Sequence, residues 1–429
     1  MRLEITGINH QGEGVARYEG KVYFVPFTVP GDLIEAEPGK QARSYGYARL
    51  KSIIRPSPAR VESACECMKT CGGCSLQHID YETQLDLKRG LVADALKRIG
   101  NLGEPEILPT LGMDVAYHYR NKAVFHVGTD PVILGFHQSS SHNVVPVGEC
   151  RLFPQEWGEI LSFLEGTLGE AGAPVREIAQ VVLRQSHFNG EIMVVLVGKS
   201  KPPAGRWWEA LAEEITVRFP RVTTIAASDG RDRIIIMSGS GALKERLAGL
   251  DFVISPRAFF QVNTVMAEVL VAKVLEYAGF CLDQNVIDAY CGIGTLSLPL
   301  AARASRVIGI EQNLAAVRDA RQNAAINHIN NAEFMNGDSA KVFPRAVSRL
   351  NKVDLVVVDP PRKGLSQEVL NAITKLAPDN LIYVSCHPGT LARDLSVLAR
   401  QGYRIAQVQP VDLFPHTAHV ETVCLLERK

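Results

Sequence analysis

Over residues 1 to about 58, apolar and polar positions alternate in short runs broken by glycine. VARYEGKVYFVPFTVPGDLIEAEP and YARLKSII carry the alternation, with turns at Glu19-Gly20 and Pro30-Gly31. About five short strands in so few residues predict a small β-barrel of the oligonucleotide-binding type, and RPSPAR (55–60) reads as a linker. The pattern then turns helical over 81–100, with Leu85, Leu87, Leu91, Val92, Ala95, Leu96 and Ile99 on or near one face. Residues 115–250 read as β-rich with a helix or two, through KAVFHVG, PVILGFH, EIMVVLVG, VTTIAAS and DRIIIMSG. From about 285, five short apolar strands (NVIDAY, RVIGIE, AEFMNG, DLVVVD and NLIYVS) alternate with helical stretches, the rhythm of a doubly wound parallel sheet. YRIAQVQPVDLF and HVETVCLLERK read as a final hairpin.

Composition adds scale. A chain of 429 residues, 46% hydrophobic and 21% charged, is ordinary globular material for two or three domains. The N-terminus is polar and no apolar run is long enough to cross a bilayer, so a cytoplasmic protein with no membrane partner is expected. Formal net charge is zero, which places any nucleic-acid binding on local features. One such feature lies between Glu37 and Glu62, where Lys40, Arg43, Arg49, Lys51, Arg55 and Arg60 surround Tyr45 and Tyr47 without a single acid. That run suits a cationic nucleic-acid groove and equally suits a solvated edge strand with a basic loop.

The cysteines and acids carry the candidate chemistry. Cys65, Cys67, Cys71 and Cys74 fall within ten residues, a cluster that suggests metal or redox chemistry more than a disulfide framework. In VIDAYCGIGTLSLPLA (286–301), Gly292 and Gly294 sit between a strand and a helix, where backbone amides approach a ligand. Glu311 ends the next strand, Asp338 follows the third and Asp359 the fourth. An acid about twenty residues beyond a glycine turn binds a ribose diol. The loop lacks the third glycine of a dinucleotide fingerprint, so one short turn followed by acids suits S-adenosylmethionine better than NAD. Cys386 follows strand NLIYVS just before a helix, and a helix N-terminus favours the thiolate. Cys281 and Cys424 read as buried, inert thiols.

DAYCGIGTLSLPLA, DPPRKGL, VSCHPGTLARDL and FPHTAHVETV, with ISPRAFFQVN (254–263) and YRNKAVFH (119–126), resemble the RNA uracil-5 methyltransferases over nearly the whole chain. The resemblance implies an α/β protein: a class I, Rossmann-like S-adenosylmethionine-dependent domain (77–112 and 251–429), an N-terminal TRAM barrel (1–58) and a β-rich iron–sulfur, RNA-binding central domain (59–76 and 113–250). It makes Cys386 the nucleophile and Glu421 the base, and Gln261, Tyr290, Thr295, Glu311, Asp338 and Asp359 the cofactor contacts. Phe259 becomes an aromatic beside the target base, its rival role being a core phenylalanine. The chemistry has a reason: neutral uracil is a poor nucleophile at C5 until a thiolate adds to C6, and a base must then remove the C5 proton.

By the same resemblance Cys65, Cys71, Cys74 and Cys150 are ligands of a [4Fe–4S] cluster, with Cys67 a bystander. Cys67-x3-Cys71-x2-Cys74 is also the spacing of radical S-adenosylmethionine enzymes, but those continue into a partial (β/α) barrel that is not legible here; zinc also suits four thiolates. The expected substrate is ribosomal RNA, because bacterial transfer-RNA members generally lack the barrel and cluster. The alternatives are transfer RNA, an enzyme methylating an exocyclic amine, and a non-catalytic iron–sulfur RNA-binding protein. A monomer is expected.

Overall fold

Alternation in the N-terminal segment becomes six strands: β1 (Arg2–Glu4), β2 (Gly7–Ile8), β3 (Gly14–Tyr18), β4 (Lys21–Val25), β5 (Leu33–Gln41) and β6 (Tyr45–Arg55). They are ordered β1-β5-β6-β4-β3-β2 around Leu3, Ile5, Ala16, Val25, Ile34, Ala36 and Ala48. The β3–β4 turn places Glu19 and Gly20 both at positive φ, 49° and 78°, between paired Tyr18 and Lys21, the mirror-image turn that matches strand twist. The computed structural model describes every residue except Ser140, Ala171, Asp232, Phe280 and Cys281, so the reading of Cys281 lies outside the described residues.

The basic run looks different once strands pair. Arg49 forms an ion pair with Glu37, Lys51 with Glu35 at 3.5 Å, Arg55 with Glu4 at 3.9 Å and Arg60 with Asp32 at 2.5 Å. The acids absent from 38–61 are supplied by neighbouring segments. Among the described residues, Lys40 and Arg43, at the end of β5 and in the turn after it, have no ion-pair partner.

Helix α1 (Tyr81–Arg98) starts on Asp80, whose carboxylate accepts the Thr83 N–H at 2.9 Å. Its buried face is Gln84, Lys88, Val92, Ala95 and Leu96, while Leu85, Leu87 and Leu91 are half-buried and Ile99 is exposed. Polar groups can lie inside because the 412–416 loop meets them. Lys88 Nζ donates to Asp412 Oδ1 at 2.5 Å and to the Phe414 carbonyl at 3.0 Å, and Gln84 accepts the His416 N–H.

The chain divides into two units, Met1–Ala116 with Pro360–Leu370 and Leu381–Lys429, and Tyr117–Asp359 with Asn371–Asn380. The second unit holds a seven-stranded sheet of β7 (Lys122–Thr129), β8 (Val132–His137), β9 (Val144–Pro146), β10 (Ile178–Gln185), β11 (Ile192–Gly198), β12 (Val222–Ser228) and β13 (Ile234–Gly239), ordered β13-β12-β11-β10-β7-β8-β9. Helices α2 (Trp157–Gly169) and α3 (Arg206–Arg218) lie between its strands in sequence, and Phe125 packs against Phe136, Phe153 and Trp157. A hairpin, β14 (Leu243–Leu247) and β15 (Leu250–Ile254), leads through α4 (Thr264–Ala278) to the nucleotide-type strands. These are β16 (Asn285–Asp288), β17 (Arg306–Glu311), β18 (Ala332–Asn336) and β19 (Leu355–Val358), with α5 (Ser297–Ala301), α6 (Leu314–Ile326) and α7 (Ser339–Val347) between them and α8 (Gln367–Leu376) after. All pair in parallel, ordered β18-β17-β16-β19, with glycine turns and acids at their carboxyl ends as the sequence predicts.

In the first unit, β20 (Asn380–Ser385), α9 (Pro388–Arg400), β21 (Tyr403–Val411) and β22 (Glu421–Arg428) complete the chain, with β22 between β20 and β21. The predicted terminal hairpin is β21–β22, paired antiparallel. The Rossmann-like fold class is present, and no helix among the described residues is long and apolar enough to cross a membrane.

Candidate active site

In the second unit the β16–α5 turn carries Gly292 and Gly294 at φ 55° and 92°. A Cβ at Gly294 would also come within 3.1 Å of Leu298, so this turn needs glycine on two grounds. Glu311, at the end of β17, accepts the N–H groups of Gly292 at 3.2 Å and Asn313 at 2.6 Å, which fixes its carboxylate across the turn. Tyr290 and Thr295 flank the glycines and are both half-buried. Asp338 is exposed and caps α7, its Oδ1 accepting the Ala340 N–H at 2.8 Å.

Two acids sit deeper. Asp288, which the sequence reading passed over, ends β16 fully buried, accepts the Ser297 hydroxyl at 2.6 Å and is pushed up to about 6 by desolvation. Asp359 follows β19, and desolvation, then the charge of Asp288, pushes its carboxyl up to about 7. Two poorly solvated carboxylates beside a glycine turn favour a cation, and a ribose diol suits Glu311. The signal that would have found Asp288 is the one that found Glu311, an acid at a parallel strand's carboxyl end.

The 255–263 loop is held from below by the YRNKAVFH segment. Asn121 donates through its side chain to the Gln261 carbonyl at 2.9 Å and to Thr264 Oγ1 at 2.8 Å, and its own N–H bonds the Val262 carbonyl at 2.7 Å. Arg184 donates to the Ala258 carbonyl at 3.0 Å. Two motifs distant in sequence are therefore one structural piece, and Asn121 and Arg184 are positioning residues that single-motif reading misses. The loop turns Phe260 inward against Phe252 and leaves Phe259 65% exposed, so Phe259 is not a core residue.

In the first unit Cys386 follows β20 directly, half-buried, ahead of α9. His387 caps that helix, its Nδ1 accepting the Thr390 N–H at 3.2 Å. Burial, then the charges of Arg362 and His10, hold this imidazole below its usual value, which keeps the neutral ring an acceptor needs. Strands joined by a helical crossover run parallel, so β20 and β21 share a direction. β22 runs opposite to β21 and opens with Glu421 beside Val411. Glu421, 4% exposed, thus lies at the carboxyl edge of β20, where Cys386 is. Arg362 of the DPPRKGL segment donates to His419 Nδ1 at 3.2 Å, two residues before Glu421. Buried Asp394 fixes that segment, accepting the Leu365 N–H at 2.8 Å and the Tyr383 hydroxyl at 2.7 Å. A Cβ on Gly364, at φ 76°, would come within 2.5 Å of it.

Other cysteines divide clearly. Cys291 and Cys424 are buried, and desolvation raises both thiols, as inert residues require. The expected [4Fe–4S] ligand set is not shown: among the described residues no three His, Cys, Asp or Glu side chains form a group able to hold a metal ion. Cys71 Sγ accepts the Gly73 N–H at 3.4 Å and Cys74 Sγ the Gln77 amide at 3.2 Å, bonds that lie within one short segment.

Comparison with known proteins fits this anatomy. Residues 189–429 match the family model described as tRNA (Uracil-5-)-methyltransferase, and residues 1–51 match the TRAM domain. An RNA methyltransferase of Halalkalibacterium halodurans is 37% identical over 100% of this chain and 97% of its own length. One from Oceanobacillus iheyensis is 38% identical over 100% and 96%. The crystal structure of the Pyrococcus abyssi tRNA (uracil-54, C5)-methyltransferase with S-adenosyl-L-homocysteine superposes with a TM-score of 0.76 at 30% identity, covering 99% of this chain and 100% of that one.

Proposed function

The chain belongs to the family of S-adenosylmethionine-dependent RNA uracil-5 methyltransferases and carries a TRAM domain, and from that premise we propose that it methylates C5 of a uridine through a covalent adduct on Cys386. The observation that carries the mechanism is the shared strand edge of Cys386 and Glu421. S-adenosylmethionine supplies an electrophilic methyl group on a sulfonium. Gln261, Tyr290, Thr295, Glu311, Asp338 and Asp359 would hold it, with Asp359 and buried Asp288 furnishing the negative field. Cys386 adds as thiolate to C6 of the uracil and makes C5 nucleophilic; after transfer Glu421 takes the C5 proton and the thiolate leaves. Phe259, exposed beside Gln261, stacks on the base once it leaves its own stack.

The proposed substrate is ribosomal RNA, argued from the added barrel and cysteine segment. A transfer-RNA reading stands beside it, because the P. abyssi protein, whose name specifies a tRNA uracil, is covered over its full length, N-terminal part included. Incubation with unmodified ribosomal and transfer RNA, followed by mass spectrometry of the nucleosides, decides. 5-Methyluridine in ribosomal RNA alone supports the first reading, in transfer RNA alone the second, and in neither RNA overturns the function.

For the cysteine segment the proposal stays compositional: Cys65, Cys71, Cys74 and Cys150 as cluster thiolates, Cys67 outside. Anaerobically purified protein should be brown. Cys67→Ser should keep its iron and Cys65→Ser should lose it, whereas a colourless, iron-free preparation removes the cluster from the account.

A further inference from the structure

At its β7–β8 end the central sheet has a half-buried face whose chemistry the reaction does not use; over β11 and β12 the same face is covered, where Met193, Val195, Val197 and Ala226 pack with Leu243 of β14. Along β7, Ala123 and Phe125 are buried, while Lys122, Val124 and His126 are half-exposed. The Phe125 side packs on Trp157 of α2, so Lys122, Val124 and His126 occupy the other side. Gln180 of β10 pairs opposite His126, its amide 3.5 Å from His126 Nδ1, and Arg184 pairs opposite Lys122. From β8, His137 stacks on His126 with ring centroids 3.6 Å apart and planes 21° from parallel. Exposed His142 meets His137 edge-on at 5.3 Å.

The strands behind this surface carry cations and no acid of their own. β7, β8, β9, β10 and β11 contain no aspartate or glutamate. Beyond the strands, Glu245 of β14 offsets buried Arg184, and Glu165 of α2 accepts the Leu134 N–H of β8 at 2.6 Å. Lys122 thus stands at the edge of a flat imidazole pair, with a third imidazole beyond. Stacked rings next to a cation, on strands without carboxylates, receive unpaired bases and their phosphates.

We propose that this face, centred on His126 and His137, is a second RNA-contact surface that stacks a single-stranded stretch of the substrate. It rests on the reading that the chain acts on RNA. The bases lie against the imidazole pair and Val124, and a phosphate meets Lys122.

The test measures binding of a fluorescein-labelled RNA hairpin with a uridine-containing loop, by anisotropy. His126→Ala/His137→Ala should raise Kd about tenfold, the scale of a lost stacking contact, with the melting temperature unchanged. His142 is exposed, and His142→Glu puts a carboxylate beside strands that carry none, so it too should weaken binding and do so most at low salt. With 4-thiouridine in the loop, cross-links should appear in the peptide spanning β7 and β8. Wild-type affinity in both variants, or cross-links that avoid this peptide, overturns the surface and leaves the methyltransferase reading intact. Failure of the wild type to bind any RNA overturns both.

Discussion

Two carboxyl groups carry the sharpest residue-level expectations. Glu421→Gln removes the proposed base for the C5 proton. Turnover should fall by about 10²–10⁴-fold, while a methylated RNA–protein adduct accumulates on denaturing gels. Asp359 reports through pH. Its carboxyl is raised to about 7, so the proton competes with a cation for this site on the acid side, and the charge is present on the alkaline side. S-adenosylmethionine affinity, measured by calorimetry, should therefore tighten as pH rises through about 7, and Asp359→Asn should flatten that dependence. The places of Cys386, Glu311 and Asp359 in the fold were legible because each ends or directly follows an apolar strand. Asp288 obeyed the same rule and was passed over, while Asn121 and Arg184 were illegible because they act on a loop more than seventy residues away.

At the scale of elements, strand patterns survived folding better than helix faces did. The five apolar strands from β16 to β20 and the terminal hairpin stand where alternation and apolar runs place them, since a strand's neighbours impose the same period on all of them. Helix α1 runs almost to its predicted end, yet its buried stripe includes Gln84 and Lys88 in place of the leucines. Asp412, the Phe414 carbonyl and the His416 N–H explain that choice, and no local pattern reveals a partner more than three hundred residues away. Lys88 and Asp412 are both fully buried, so Lys88→Met should lower stability by about 3–5 kcal/mol by stranding the carboxylate. Replacing both by apolar residues should restore most of it in thermal melts.

For the molecule as a whole, net charge misdirected attention in an instructive way. The basic run after Glu37 was the obvious place for RNA, but register gives Arg49, Lys51, Arg55 and Arg60 carboxylate partners from other segments. Of that run, Lys40 and Arg43 are the cations that, among the described residues, keep no carboxylate partner and are left to meet a phosphate. Lys40→Ala/Arg43→Ala should weaken RNA binding and lower the salt slope by at most about 2, whereas Lys51→Ala should change the slope less. The methyltransferase fold itself was readable because its motifs lie on one regular βα repeat. The role of the cysteine segment was not, because thiol spacing alone does not say whether thiols converge on a metal. All of this serves one chemical claim, that Cys386 becomes bonded to the target uracil. The most direct measurement incubates the protein with 5-fluorouridine RNA and S-adenosylmethionine and looks for a complex that survives denaturant, since fluorine cannot leave C5 as a proton does. The account predicts such a complex for the wild type and none for Cys386→Ala; no complex with the wild type, or an undiminished one with Cys386→Ala, would contradict it.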